Sequence, residues 1–219
     1  MAGGYGPPAV NPWPVEAGQD RQCNGNQTML RYLFVALLSV AGVSGAMAAE
    51  EGEDPPVING CPIWSHTRCP GGDLRHANLA GKNLAGADFR GAKMARVDLR
   101  GAMLAGANFD GADLTGARLG KVAAPTASFR GARLVGADLE HARLFRADFT
   151  DADLTGATLE AAKANFAWFE RARLVDANLE EAKLFTVNLR GADLSGSFRR
   201  FAVFQDADFT GCTGCPTDW

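Results

Sequence analysis

The residues best suited to chemistry in this 219-residue chain are its five cysteines and three histidines. Cys61, His66, Cys69 and His76 offer zinc-type donors, yet C-x4-H-x2-C-x6-H is not a standard finger spacing. Cys212-Thr213-Gly214-Cys215 has the C-x-x-C spacing of a redox dithiol, without the βαβ pattern that accompanies thioredoxin-like motifs. Glu140, Glu160 and Glu180 recur every twenty residues, an acidic column suited to a cation. Three residues after each stands a base, Arg143, Lys163 or Lys183, so ion pairs across a corner are the expected use. His141 has no neighbours from which a nucleophile, base and orienting group assemble. No catalytic residue, cofactor or metal ligand is expected, and the chain reads as a non-enzyme.

Composition narrows the classes further. Lys+Arg 22 against Asp+Glu 25 leaves a net charge of −3. That balance argues against a nucleic-acid binder held by bulk positive charge, and against a strongly acidic DNA mimic. Residues 1–28, rich in Gly, Pro and polar side chains, read as a disordered upstream mis-start. Met29 opens a secretory signal peptide that runs to Ala48, with Arg31, the apolar run from Leu33 to Val43 and the A-x-A site Ala46-Met47-Ala48. The expectation is a periplasmic or secreted protein with no membrane association once the signal is removed. Residues 49–60 read as an acidic linker, 61–71 as an N-terminal cap and 213–219 as a tail.

The elements that position everything else come from a repeat of five over residues 72–212. Counting in fives from Leu74 to Phe209 gives 28 centres, all Leu, Phe or Met except Ala124, Ala164 and Arg199. Two residues before nearly every centre stands a small residue, usually Ala, as at Ala87, Ala107 and Ala117. A small and a large residue two apart point to one side of an extended segment. Glycine recurs two residues after the centre, at Gly91, Gly111 and Gly131 among others, where a bend needs dihedral freedom. Each pentapeptide is therefore a short side plus a corner.

Four sides close a turn. Phe89, Phe109, Phe129, Phe149, Phe169 and Phe209 are spaced by twenties, with Leu189 in the gap, and form an expected core aromatic column. Rings twenty apart superpose at the strand spacing of about 4.8 Å. The 28 repeats then give about seven coils of four pentapeptides, an all-β solenoid of roughly 34 Å at that spacing.

The pattern resembles the pentapeptide-repeat family, whose A-(D/N)-L-x-x consensus stands here as Ala87-Asp88-Phe89-Arg90-Gly91, Ala112-Asp113-Leu114-Thr115-Gly116 and Ala192-Asp193-Leu194-Ser195-Gly196. The resemblance implies a right-handed quadrilateral β-helix. It implies little about function; as an alternative, some members of the family look like a DNA duplex and bind DNA gyrase, giving quinolone resistance. The near-neutral charge, the short C-terminal tail and the export signal all run against that alternative here.

Outside the tube, Asp73, Lys93, Asp113, Arg133, Asp153, Arg173 and Asp193 alternate in sign along one column and are expected to pair from coil to coil. Thr115, Val135, Thr155 and Val175 stack in another column, a short candidate for an ice-binding face. Phe145, Phe166, Trp168 and Phe185 gather at one corner over the small centre Ala164. They read either as a patch for a protein partner or, for Phe166 and Trp168, as fillers of the space beside Ala164.

The solenoid also decides the cysteines. With Cys23 in the leader, Cys61 and Cys69 lie at one end and Cys212 and Cys215 at the other. A disulfide reaches only about 7 Å between Cα atoms, so Cys61–Cys69 and Cys212–Cys215 are the expected bridges. Trp64 falls in register with the centres and is expected to plug the N-terminal end; near the C-terminus a Phe is expected to replace Arg199 inside. The reading is a rigid, non-enzymatic, exported interaction scaffold with an unknown protein partner and no nucleic acid.

Overall fold

Residues 55–216 are described by a computed structural model. The proposed mis-start, the signal peptide, Cys23 and the linker as far as residue 54 lie outside the described residues. Strand β1 (Val57–Ile58) pairs antiparallel with β2 (Cys61–Pro62), Val57 opposite Pro62 and Ile58 opposite Cys61. The turn between them is Asn59-Gly60, both at positive φ (49° and 81°), the arrangement that a two-residue hairpin of this twist requires. The hairpin thus begins inside the segment read as linker.

From Arg68 onward every bridge is parallel and joins residues twenty apart, such as Asp88 to Asn108 to Ser128 to Asp148. The hydrogen bonds explain why the period is five. Each centre donates its N–H to the carbonyl nineteen residues on, as Phe129 does to Asp148 at 2.7 Å. The residue before it donates back twenty-one, as Ser128 does to Ala107 at 2.9 Å. The corner residue donates forward again, Gly131 to Thr150 at 2.9 Å, and the next small residue closes a β-turn, Ala132 to Phe129 at 3.0 Å.

One amide in five is left over, that of the residue after the centre. Asp or Asn just before the centre accepts it: Arg90 N to Asp88 Oδ1 at 3.2 Å, Thr115 N to Asp113 Oδ1 at 3.0 Å, Glu140 N to Asp138 Oδ1 at 2.9 Å. An Asx side chain is suited to this because its oxygen reaches the backbone two residues on. The consensus Asp/Asn is therefore a local backbone acceptor, a role that reading it as a column of charges misses.

Inside, the large positions from Leu74 to Leu194 and the small positions from Ala87 to Ala192 are buried almost to the last atom, while Lys82, at a small position of the first coil, is exposed. Phe89, Phe109, Phe129, Phe149 and Phe169 stack with successive centroids 5.3, 5.0, 4.8 and 5.0 Å apart. Phe209 departs from the expected column. It is half-buried, and its ring tilts 52° against Phe204 at 5.7 Å, because Leu189 separates it from Phe169.

The ends also depart from expectation. Trp64 is 53% exposed and plugs nothing; Ile63, 4% exposed, turns inward instead, since the hairpin sets the in–out alternation one residue earlier. Arg199 keeps its place at a centre, half-buried, with Nη1 donating to Gly214 O at 2.8 Å. Phe198 and Phe201 are 52% and 65% exposed, so neither replaces it. The guanidinium satisfies a carbonyl that a phenyl ring would leave unpaired. Cys61 and Cys69 are bridged, as are Cys212 and Cys215, each with Cα atoms 5.8 Å apart.

Candidate functional site

The corner residue has positive φ along the whole ladder, with or without glycine: Gly106 at 63°, Thr126 at 56°, Arg146 at 55°, Phe166 at 60° and Thr186 at 54°. A side chain there costs about 1–2 kcal/mol relative to glycine. Phe166 carries that strain while 45% exposed, so its ring is not held there by burial. Its edge meets Phe145, also 45% exposed, at 5.5 Å and 75°. Trp168 is 49% exposed on the adjoining side, and Phe185 is half-buried. Ala164 is fully buried without either Phe166 or Trp168 folding over it, so the filler reading fails. Between Phe145 and Phe185 in the same column sits Asn165, whose Oδ1 is buried without a hydrogen-bond partner.

The expected ion pairs do not form here. Glu140 Oε1 lies 3.3 Å from His141 Nε2, and Glu160 Oε2 accepts from Asn178 Nδ2 at 3.1 Å. Arg143, Lys163 and Lys183 are exposed, bridged to one another in the ladder, and make no ion pair among the described residues. Three cations thus stack one above another, an arrangement that is unfavourable by itself.

Among the described residues the alternating column likewise makes no coil-to-coil contact at ion-pair distance; Lys93, Arg133 and Arg173 act on Asp73, Asp113 and Asp193 only as more distant charges. Asp73 is held by a bidentate Arg75 at 2.9 and 2.6 Å; Asp113 and Asp153 accept the hydroxyls of Thr115 and Thr155, both at 2.6 Å. A donor two residues on is simply nearer than a cation one coil away. It also leaves these threonine hydroxyls, two members of the candidate ice-binding column, donating to the chain itself.

Elsewhere pairs do cross coils, as Arg171 to Asp151 at 2.7 Å and Arg118 to Asp98 at 3.4 Å. No group of three or more His, Cys, Asp or Glu among the described residues is placed to hold a metal ion.

Arg100, donating to both oxygens of Asp98, holds that carboxyl down to about 2. Because its folded value lies below the ordinary 3.9, its contribution to stability is complete above about pH 4 and is lost as pH falls through about 2. The urea midpoint is therefore expected to drop between pH 4 and pH 2, and Asp98→Asn to flatten that drop. A variant with an unchanged pH profile would contradict the assignment.

A model of pentapeptide repeats, in eight copies, matches residues 73–102, 83–120, 127–160, 162–198 and 182–213. The chain belongs to the pentapeptide-repeat family. Its twenty-residue parallel ladder is accordingly the family's right-handed β-helix. No curated protein matches the chain. Among solved structures, a trypsin-treated variant of QnrB1, a plasmid-mediated fluoroquinolone resistance protein, is 20% identical with a TM-score of 0.50, covering 68% of this chain and 84% of its own. HetL, a pentapeptide repeat protein involved in heterocyst differentiation regulation in the cyanobacterium Nostoc, is 28% identical with a TM-score of 0.36, covering 68% and 83%. A thylakoid-lumen pentapeptide repeat protein of Arabidopsis thaliana is 29% identical with a TM-score of 0.18, covering 60% and 67%. At its identity the QnrB1 likeness speaks to the fold alone.

Proposed function

We propose that this pentapeptide-repeat protein is an exported, non-enzymatic rod of about seven four-sided coils that presents a binding corner to a protein partner. One observation carries the reading: the edge-to-face pair Phe145–Phe166 stays nearly half exposed outside a fully buried core, with Phe166 at a positive-φ corner where glycine would be the unstrained residue. Aromatic side chains displayed on a rigid support are what interface hot spots are made of. Every centre from Leu74 to Leu194 is packed, which leaves the outer faces to do the work.

The test is the double variant Phe145→Ser with Phe166→Gly. It removes both rings and relieves the corner, so the thermal midpoint is expected to stay within a few degrees of the parent. Capture of the partner from a periplasmic extract is expected to fall at least tenfold. Retained capture would end the proposal. Fractionation should place the protein outside the cytoplasm, and purified DNA gyrase should supercoil DNA normally in its presence. Inhibition of supercoiling would favour the DNA-mimic function instead.

A further inference from the structure

On three sides of the rod an Asp or Asn before the centre recurs to accept the spare amide after it, as at Asp113, Asp138 and Asp148. The side with centres Leu84, Leu104, Ala124, Leu144, Ala164, Leu184 and Phe204 is different. Asn83 accepts the amide of Ala85 at 3.2 Å, and then the acceptor disappears for six coils in succession: Met103, Ala123, Arg143, Lys163, Lys183 and Val203 take its place. At one of these coils the amide is absent too, because Pro125 follows the centre. At the next three it is present, on Phe145, Asn165 and Phe185, with no acceptor among the described residues. These N–H groups face the side from which Asp oxygens approach elsewhere, and beside each stands an unpaired cation.

We propose that this stripe reads carboxylates: it docks an acidic segment of a partner protein, whose Glu or Asp side chains take the place of the missing Asx acceptors. Each subsite offers a backbone donor at Phe145, Asn165 or Phe185 and a positive charge at Arg143, Lys163 or Lys183. A hydrogen bond to an ionised carboxylate is about twice as strong as a neutral one. The stacked cations, unfavourable alone, become favourable once three anions lie between them. Phe145 and Phe166 flank the subsites and supply apolar contact. The neighbouring side carries Glu140, Glu160, Glu180 and Glu181, all unpaired with these cations, which repel a broad polyanion and admit only a narrow segment. Two ladder steps span about 9.6 Å. Glutamates at i, i+4 and i+7 of a helix rise about 10.5 Å, so a helix lying along the rod matches the three subsites.

This inference rests on the reading of the rod as a protein-binding scaffold, and its test separates the two. The probe is a fluorescein-labelled, alanine-based helical peptide with Glu at i, i+4 and i+7, measured by anisotropy against the full chain. Its Gln counterpart and a ten-nucleotide thymidine oligomer serve as the other probes. The Glu peptide is expected to bind at least tenfold more tightly than the Gln peptide, and to weaken at least tenfold from 50 to 500 mM salt.

The variant Lys163→Asp with Lys183→Asp restores the consensus acceptors and should lose the Glu peptide at least tenfold, with a thermal midpoint no lower than the parent's. No binding of the Glu peptide at millimolar concentration, or equal binding by the double variant, overturns the proposal. So does tighter binding of the oligonucleotide, which would make the stripe a nucleic-acid site. Partner capture lost in the Phe145/Phe166 variant but untouched in the lysine variant would leave the scaffold standing and remove the carboxylate subsites.

Discussion

Phe129→Ala is expected to lower the unfolding free energy by about 3–5 kcal/mol, read as a fall in the urea midpoint at unchanged m. The ring is fully buried between Phe109 at 5.0 Å and Phe149 at 4.8 Å, nearly parallel to both. Its removal leaves a void whose lining residues belong to a backbone pinned above and below by ladder bonds, so the site cannot collapse. The neighbouring rings lose their stacking partners as well, which adds about 0.5–1.5 kcal/mol per pair to the loss of buried area. Phe145→Ala supplies the control, since that ring is 45% exposed and its removal should cost well under half as much. Equal losses in the two variants would mean that the column does not hold the rod together.

Replacing both Cys61 and Cys69 by serine is expected to cost about 2–3 kcal/mol, in the range for a bridge closing a short loop. The effect should be local in exchange experiments. The bridge ties the β1–β2 hairpin to a centre of the first coil, beside Thr67 Oγ1, which donates to Pro62 O at 2.6 Å, and Asn59 Nδ2, which donates to Asp73 O at 2.8 Å. In a solenoid each coil is stabilised mainly by its neighbours, so loss of a cap frays the end before the middle. The amides of Cys69 and Leu74 should exchange markedly faster in the variant, while that of Leu144 changes little. Uniform acceleration along the chain would show instead that the rod unfolds as a single unit.

Spacing alone was enough to place Phe109 over Phe129, because burial selects side chains for size at fixed intervals and that selection is written in composition. The roles of Asp88 and Asp113 were not legible in this way. Whether an acid pairs with a cation one coil away or accepts the next amide but one depends on where that N–H points, which the turn decides. The same blind spot hid the stripe at Arg143, Lys163 and Lys183, expected to serve Glu140, Glu160 and Glu180. The signal that would have found it was present: one side in four loses its Asp/Asn for six successive coils. Trp64 falls in the count of fives, but the Asn59-Gly60 hairpin shifts the alternation, so Ile63 turns inward and Trp64 does not. Arg199 looked like an intruder among apolar centres until the carbonyl of Gly214 gave its guanidinium a partner.

The unbroken pairing of residues twenty apart restricts how such a chain lengthens. Adding a single pentapeptide between Arg143 and Lys163 would keep the parallel backbone pairing yet rotate all downstream surfaces by a quarter turn, leaving Arg143 on a different side from Lys163 and Lys183. Only additions or losses of whole twenty-residue blocks conserve what each surface displays. Descendants that keep the function should therefore differ in length by multiples of twenty, with boundaries free to fall at any corner.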